Sequence, residues 1–494
     1  AKSNNYIQSL LFRFNYSYKG KYTFTATGRN DGDSKFSQGE PWGFFPSAAV
    51  SWDVNKEGFM KTIRAISQFK LRASYGEVGS SIGVAPYSTL DTYAIGRIGL
   101  TDNNIYTGTF PARIANKNLS WETSTTLNLG LNLNFFKNRL RTTVDAYERI
   151  TDNLLNNLQI PRQNGFNSIP INDGELENRG LEIDIAYDVF KNENFSWTSK
   201  INWTKNVTKL IEYGTNESII GPGIGANFFQ INATETFPGE ELGLFFGYKV
   251  TGLIQPDDLV DYANGNFNIR TEPGFDEDGN PIDVQIFATT TRNNNGNGNP
   301  GQNAPGLWKF EDVDEDGLIT QADRQTIGNP NPDFFFGWNN QFKIGDFNIS
   351  MFIQGSYGND ILNLNKAFIG SGWAGGNGSK DYFENRWTLD NQHNDINYPS
   401  FNGPTGVNVP NSAFIEDGSY IRLKNLSIRY NIRDISFFSN AAITFTGTNL
   451  VTITDYTGPD PEVSTNGNGA LNRGVDYSAY PRPKVYTLGL NLSF

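Results

Sequence analysis

The closing stretch of the chain, "VYTLGLNLSF", alternates without a break. Tyr486, Leu488, Leu490, Leu492 and Phe494 fall on one set of positions. Val485, Thr487, Gly489, Asn491 and Ser493 fall on the other. A period of two marks a β-strand, whose successive side chains point to opposite faces. The pattern recurs upstream. "TTLNLGLNLNFF" sets Leu127, Leu129, Leu131, Leu133 and Phe135 against Asn128, Gly130, Asn132 and Asn134. "LEIDIAYDV" sets Leu181, Ile183, Ile185, Tyr187 and Val189 against Glu182, Asp184, Ala186 and Asp188. "FSWTSKINW" sets Phe195, Trp197, Ile201 and Trp203 against Ser196, Thr198, Lys200 and Asn202. Segments of about ten residues with one greasy and one polar face have the length of a tilted strand crossing a bilayer core.

The pattern predicts about fifteen strands: 6–18, 22–31, 43–54, 66–78, 121–136, 139–151, 179–190, 195–210, 227–236, 243–254, 333–344, 347–357, 418–431, 440–451 and 484–494. Many pair across very short polar turns, at 19–21, 137–139, 191–194 and 344–346. Long loops separate the pairs, at 79–120, 153–178, 256–332, 358–416 and 454–484. A soluble sandwich also alternates apolar and polar residues. Short turns on one side with long loops on the other are instead the layout of an outer-membrane barrel. Aromatics near strand ends, Phe135–Phe136, Phe334–Phe336 and Trp338, fit interfacial girdles.

The fold class expected is therefore all-β, a transmembrane antiparallel barrel with its greasy face in lipid and its polar face lining a lumen. Backbone groups in hydrocarbon need partners, so the last strand must pair on both edges of a closed barrel. Bacterial single-chain barrels have even strand numbers with both termini in the periplasm. An odd count here predicts that an odd number of strands precedes residue 1, about seven if the whole barrel has twenty-two. The opening "AKSNNYIQS" has no initiator Met and no apolar leader, and reads as a processed chain or part of a longer one.

Bulk numbers sharpen this picture. Of 494 residues 37% are hydrophobic, mean hydropathy is −0.48, and Phe, Tyr and Trp number 37, 22 and 9. That balance suits strands with long polar loops. No run of 18 apolar residues exists, so no transmembrane helix is expected. A net charge of −12 and a pI near 4.8 disfavour general nucleic-acid binding. With no Cys, disulfides, thiolate metal sites and cysteine nucleophiles are excluded. The lone His393 lies in polar "DNQHND" and reads as a surface residue. Loop carboxylates single out no acid/base dyad. The usual enzyme constellations are thus hard to assemble, and no catalytic residues are expected.

The sharpest local motif is "DVDEDGLITQAD". Asp312, Asp314 and Asp316 take positions 1, 3 and 5 of an EF-hand-like loop, and Gly317 takes the turn position. Leu318 would offer its carbonyl, Thr320 its hydroxyl, and Asp323 the closing carboxylate. Ca²⁺ takes six to eight hard oxygens, and this spacing wraps them around one point. Asp rather than Glu at the last position shortens that ligand. The bland alternative is a solvated acidic loop. "DEDGNP" (276–281) is an incomplete version and reads as a turn, and "RNNNGNGNPGQN" (292–303) as a mobile loop tip. Trp42, Trp308, Trp373 and Trp387 are candidates for stacking on a sugar or peptide substrate; the alternative is that they pack loops together.

Several stretches together resemble the SusC-like family (SusC/RagA) of TonB-dependent outer-membrane transporters. They are 10–52, beginning "LLFRFNYSYKGKY", "DFFFGWNNQFKIGDFNISMFIQGSYGNDILN" (333–363), "RWTLDN" with "NYP" (386–399), "DGSYIRLKNLSIRYN" (417–431), "GTNLVTITDYTGPDPEV" (447–463) and "YPRPKVYTLGLNLSF" (480–494). The resemblance implies a plug inside a 22-stranded barrel in the outer membrane of a Gram-negative bacterium. It implies a SusD-like lipoprotein lid, energy from the TonB complex through the plug, and import of oligosaccharides or peptides. It also implies that the terminal strand (Tyr486, Leu488, Gly489, Leu490, Leu492, Phe494) serves as an outer-membrane assembly signal. The chain departs from the family in lacking the plug, a TonB-box region and the early strands. Residues 1–494 thus read as the C-terminal part of such a barrel, and 256–332 as a long extracellular loop with a calcium motif. The rival expectations are a structural or secretion-associated barrel without transport, and a surface glycan-binding β-protein or hydrolase.

Overall fold

The computed structural model describes residues 5–36, 40–101, 104–161, 163, 165–214, 217–223, 232–261, 266–275, 281–285, 289–290, 304–369, 377–400, 410–433, 438–465, 467 and 469–493. Its frame is one antiparallel sheet of 13 strands that pair in chain order. These are β1 (Ile7–Tyr18), β2 (Tyr22–Asp33), β3 (Trp42–Asp53), β4 (Ile66–Ser80), β5 (Glu122–Phe135), β6 (Leu140–Asp152) and β7 (Glu175–Lys191). Then follow β8 (Phe195–Glu212), β9 (Phe334–Ile344), β10 (Phe347–Tyr357), β11 (Tyr420–Ile432), β12 (Asn440–Thr454) and β13 (Val485–Ser493). Connections alternate strictly. Those at 19–21, 54–65, 136–139, 192–194, 345–346 and 433–439 lie at one end of the sheet. Those at 34–41, 81–121, 153–174, 213–333, 358–419 and 455–484 lie at the other.

The register explains the two faces. Tyr18, Tyr22, Trp52, Leu71, Leu131 and Val144 pair side by side across β1 to β6, forming a continuous apolar row. Its neighbour row contains Phe24, Val50, Ala73, Leu129 and Ala146. The opposite face is polar. Arg72 of β4 reaches across Gly130 to grip both oxygens of Asp145 on β6, at 2.9 and 2.8 Å, and donates to Asn132 at 2.8 Å. Arg141 makes a similar fork to Asp188, which also accepts from Thr198. Such bidentate pairs suit a wet interior wall and would be costly in lipid.

Aromatic rings bracket the apolar band. Near the short turns, Trp197 stacks between Phe190 and Phe342, with ring centroids 6.4 and 5.5 Å away. Towards the long connections, Phe334 lies between Trp203 and Tyr357, at 5.9 and 5.3 Å. Trp197 and Trp203 sit on one strand, about 20 Å apart at 3.3 Å per residue. The two clusters lie towards opposite ends of the sheet's apolar face.

Two expected strands are not barrel strands. Within 227–236, residues 227–231 lie outside the described residues, and Glu235–Thr236 forms a short ladder with Ile219–Ile220 apart from the large sheet. Segment 243–254 breaks into Phe245–Gly247, paired with Gln325–Gly328, and Val250–Leu253, paired with Trp308–Phe310. The physical reason is burial on all sides. Phe245, Val250, Leu253 and Ile254 are all enclosed, so their spacing marks a small packed core and not a lipid-facing stripe.

That core spans three connections. Phe245, Leu253, Trp308 and Phe310 come from 213–333, Leu362, Trp387 and Phe414 from 358–419, and Val475 from 455–484. Each fully buried large side chain contributes about 2 kcal/mol of apolar burial. Backbone ladders add to it: Asp360–Asn363 pairs with both Ile415–Asp417 and Val475–Asp476. These three connections therefore form one cohesive layer over the sheet's end, while 34–41, 81–121 and 153–174 pack around a separate small core of Phe36, Val84, Leu119 and Leu155.

Candidate functional site

The acidic turn grows out of this layer. Trp308–Phe310 is buried in the shared core, and the chain then bends outward through "EDVDEDG". Glu315 and Gly317 both take left-handed backbone angles, φ 57° and 81°, which give the sharp reversal. Ile319 returns the chain to the core. The reversal brings oxygens of Asp312, Asp314 and Asp323 within 4.8 Å of one another. Asp323 is fully buried and fixed by the backbone N–H groups of Val313 (2.8 Å) and Thr320 (2.6 Å). Asp312 accepts from the Gly317 N–H at 2.9 Å through Oδ2, while its Oδ1 is buried without a partner. Burial pushes the Asp312 carboxyl up, and Asp323 and Asp314 push it further, against the opposing pull of the Gly317 N–H.

Three of the six expected ligands thus converge and three are otherwise engaged. Asp316 accepts from the Leu318 N–H at 2.7 Å. Leu318 pairs in a short ladder with Thr289. The Thr320 hydroxyl accepts from the Ala322 N–H at 3.1 Å.

The aromatic candidates separate. Trp308 and Trp387 are 7% and 4% exposed, and their indole N–H groups donate to the Ile396 carbonyl and to Gln255 Oε1. Their rings hold the loop layer together and present no face to a substrate, which corrects the stacking expectation for both. Trp42 is 50% exposed at the long-loop end of β3, lying over Gly32. Trp373 falls outside the described residues, as do Phe494, 276–280 and 292–303. Tyr486, Leu488, Leu490 and Leu492 share one face of β13 and Gly489 lies on the other; among the described residues β13 pairs with β12 alone, and residues of both its faces are exposed.

A charge network that sequence reasoning missed lines the interior just below the loops. Arg422 of β11 is 2% exposed. It donates to Asp460 (2.5 Å), to Glu462 and to the Thr452 hydroxyl (2.9 Å). Lys424 and Gln354 reach the same Glu462 at 3.0 and 2.8 Å, and Arg482 lies 3.5 Å away. Connection 455–484 is thereby strapped to the inner wall. The available signal was the placing of Arg422 and Lys424 on the polar alternation of "YIRLKNL", with "PDPE" downstream.

The family model for the TonB dependent receptor-like β-barrel matches residues 1–275. The chain belongs to this family. Its fold is shared with the solved RagAB peptide transporter, at a TM-score of 0.73 and 22% identity over 99% of this chain and 48% of that one. TonB-dependent receptor P3 of Formosa agariphila is 35% identical over 98% of this chain and 45% of its own length. TonB-dependent receptor SusC of Bacteroides thetaiotaomicron is 28% identical over 100% of this chain and 44% of its own. The chain spans about half the length of the relatives it matches. This is a family of outer-membrane transport barrels and not of enzymes.

Proposed function

We propose that the complete protein imports a nutrient oligomer, an oligosaccharide or a peptide, across the outer membrane of a Gram-negative bacterium. The observation that carries this reading is the one-sided architecture: a polar inner wall capped by a cohesive layer built from three of the long connections. A plug and the remaining strands complete the barrel, the TonB complex supplies energy through that plug, and a SusD-like lipoprotein lid meets the long-loop face. The long connections are extracellular and the short turns periplasmic. Deleting the complete gene should abolish growth on one class of polymer while leaving cell integrity intact. Unchanged growth on every polymer would leave a structural barrel as the better reading.

The acidic turn carries a second proposal, that Asp312, Asp314 and Asp323 hold Ca²⁺. The buried, unpartnered Oδ1 of Asp312 supports the fit, because a hard cation is the partner a crowded carboxylate oxygen lacks. The ion would staple the turn to the loop core and supply no chemistry to a reaction. Extracellular Ca²⁺ would largely fill even a site in the 10⁻⁴–10⁻³ M class. Chelator, or Asp314→Ala, should leave the barrel assembled and raise the rate at which added protease cuts 311–324. Equal cutting with and without Ca²⁺ would rule the ion out.

A further inference from the structure

The short connections are not alike. Those at 19–21, 54–65 and 136–139 carry two, three and two cations against a single acid, Glu57. Those at 192–194 and 345–346 carry one acid each and no cation. The three basic connections join strands of β1 to β6, and the apolar face of the same six strands carries a hollow of about 710 Å³. One row of its lining holds the small Ala73 and Ala146, and the next row towards the short connections holds Tyr22, Trp52 and Leu71. Connection 54–65 leans over that end. Glu57 accepts from the Tyr22 hydroxyl at 2.7 Å and from the Trp52 indole N–H at 3.2 Å, and it pairs with Lys21 at 2.7 Å. Because Tyr22 and Trp52 stand on the apolar face, these bonds bring the connection to the lipid side of the wall and not to the lumen. Lys56 is engaged by Asp53 and by the Gly20 carbonyl. Lys19, whose ammonium lies over the Tyr18 ring, pairs with no carboxylate among the described residues, nor do Lys61 and Arg64. Phe59 and Ile63, beside Lys61 and Arg64 in the chain, are exposed apolar side chains.

We propose that this corner holds an anionic phospholipid of the periplasmic leaflet, with an acyl chain in the hollow and its phosphate among Lys19, Lys61 and Arg64. The proposal rests on the outer-membrane reading above, with the short turns on the periplasmic side. The hollow alone, lined chiefly by aromatic and aliphatic side chains, would take any hydrocarbon. The cations alone would take any anion. Side by side on one wall, they select a molecule that joins a negative headgroup to a long apolar chain. Exposed apolar residues next to lysine and arginine are the pattern of a segment lying in a membrane interface, with the apolar side chains below the headgroups and the cations level with the phosphates. Tyr22 and Trp52 add rings whose polar tips suit the headgroup level. A zwitterionic headgroup would bring its own ammonium to a place where the two acids, Asp53 and Glu57, are already paired with Lys56 and Lys21. The turns at 192–194 and 345–346 have no cations to offer, so this lipid is held at one corner and not all round the wall.

The test uses the complete protein, purified in detergent, stripped of lipid and titrated with phosphatidylglycerol or phosphatidylcholine under native mass spectrometry. Each variant is first shown to be heat-modifiable, hence assembled. The parent should reach half occupancy at about tenfold less phosphatidylglycerol than phosphatidylcholine. The triple variant Lys19→Ala, Lys61→Ala, Arg64→Ala should bind the two lipids alike. Ala73→Phe, which fills the hollow, should weaken both lipids and keep the ratio between them. Inorganic phosphate at millimolar concentration should displace neither. Equal binding of the two lipids by the parent, or a triple variant that keeps the preference, would overturn the headgroup site. Displacement by phosphate, or parent-like binding by Ala73→Phe, would reduce the corner to an ion site and overturn the seating of the chain. A complete protein that stays soluble without detergent would overturn the membrane reading, and this proposal with it. Nutrient uptake by the deletion strain tests import separately, so loss of lipid selectivity alone leaves that reading standing.

Discussion

Arg422 is enclosed by two carboxylates, Asp460 and Glu462, and is the buried cation between them. Removing one member of a buried ion network costs about 3–5 kcal/mol, because the charges left behind stay desolvated. Arg422→Met should therefore leave an assembled barrel in which added protease cuts 455–484 faster. Arg422→Lys should not restore protection, since one ammonium cannot fork to Asp460 and Glu462 while also holding Thr452. Burial pulls both carboxyls up, but Arg422 and backbone N–H groups at Asp460, and Lys424 followed by Arg422 at Glu462, outweigh it and hold both below the usual range. A depressed folded pKa means full stabilisation above about pH 4, lost as pH falls through the lowered value. The strap should resist protease from pH 8 down to about pH 5 and loosen only in stronger acid; loosening near pH 6 would contradict this origin. Asp312 has the opposite sign. Its raised carboxyl takes up a proton more readily, so protons compete with Ca²⁺, and titration calorimetry should find weaker binding at pH 5 than at pH 7.

At the scale of the strand, β13 tests which face meets lipid. Leu488 pairs with Phe445 on the apolar face, and Thr487 pairs with Thr446 on the polar one. An arginine at the lipid midplane costs about 2–4 kcal/mol, and much less where water is present. Leu488→Arg should lower the heat-modifiable, assembled fraction, and Thr487→Arg should not. Equal losses would contradict the assigned faces. β5, β7 and β13 were readable in the sequence because each face keeps a single environment along its length. Segment 243–254 was misread because Phe245, Val250 and Leu253 answer to neighbours from other loops, which no local period encodes. Trp308 and Trp387 were misread for a related reason: aromatic character does not distinguish a ring that stacks on ligand from one that seals a core. The three converging aspartates were legible from spacing. The diversion of Asp316 to the Leu318 N–H was not, since it depends on how the turn closes.

For the whole molecule, orientation is the property that links fold to function. These 494 residues contain no Cys, so single cysteines introduced here are the only thiols in this part of the protein. In whole cells a membrane-impermeant thiol reagent should label Gln392→Cys, which lies exposed in 358–419, and should miss Asn138→Cys at the β5–β6 turn. Labelling at position 138 alone would invert the topology and place the loop layer, with its acidic turn, in the periplasm.

The shared core of the long connections has a consequence for how such proteins diversify. In most barrels each loop hangs from its own hairpin and can drift or be exchanged alone. Here Trp308, Trp387 and Val475 belong to one packed body although they come from three different connections. A foreign 358–419 segment grafted by itself would meet a mismatched interface on both flanks. New ligand preferences would then be inherited as a block, with the three connections recombining together, and chimaeras built one loop at a time would fail through misfit rather than through lost recognition.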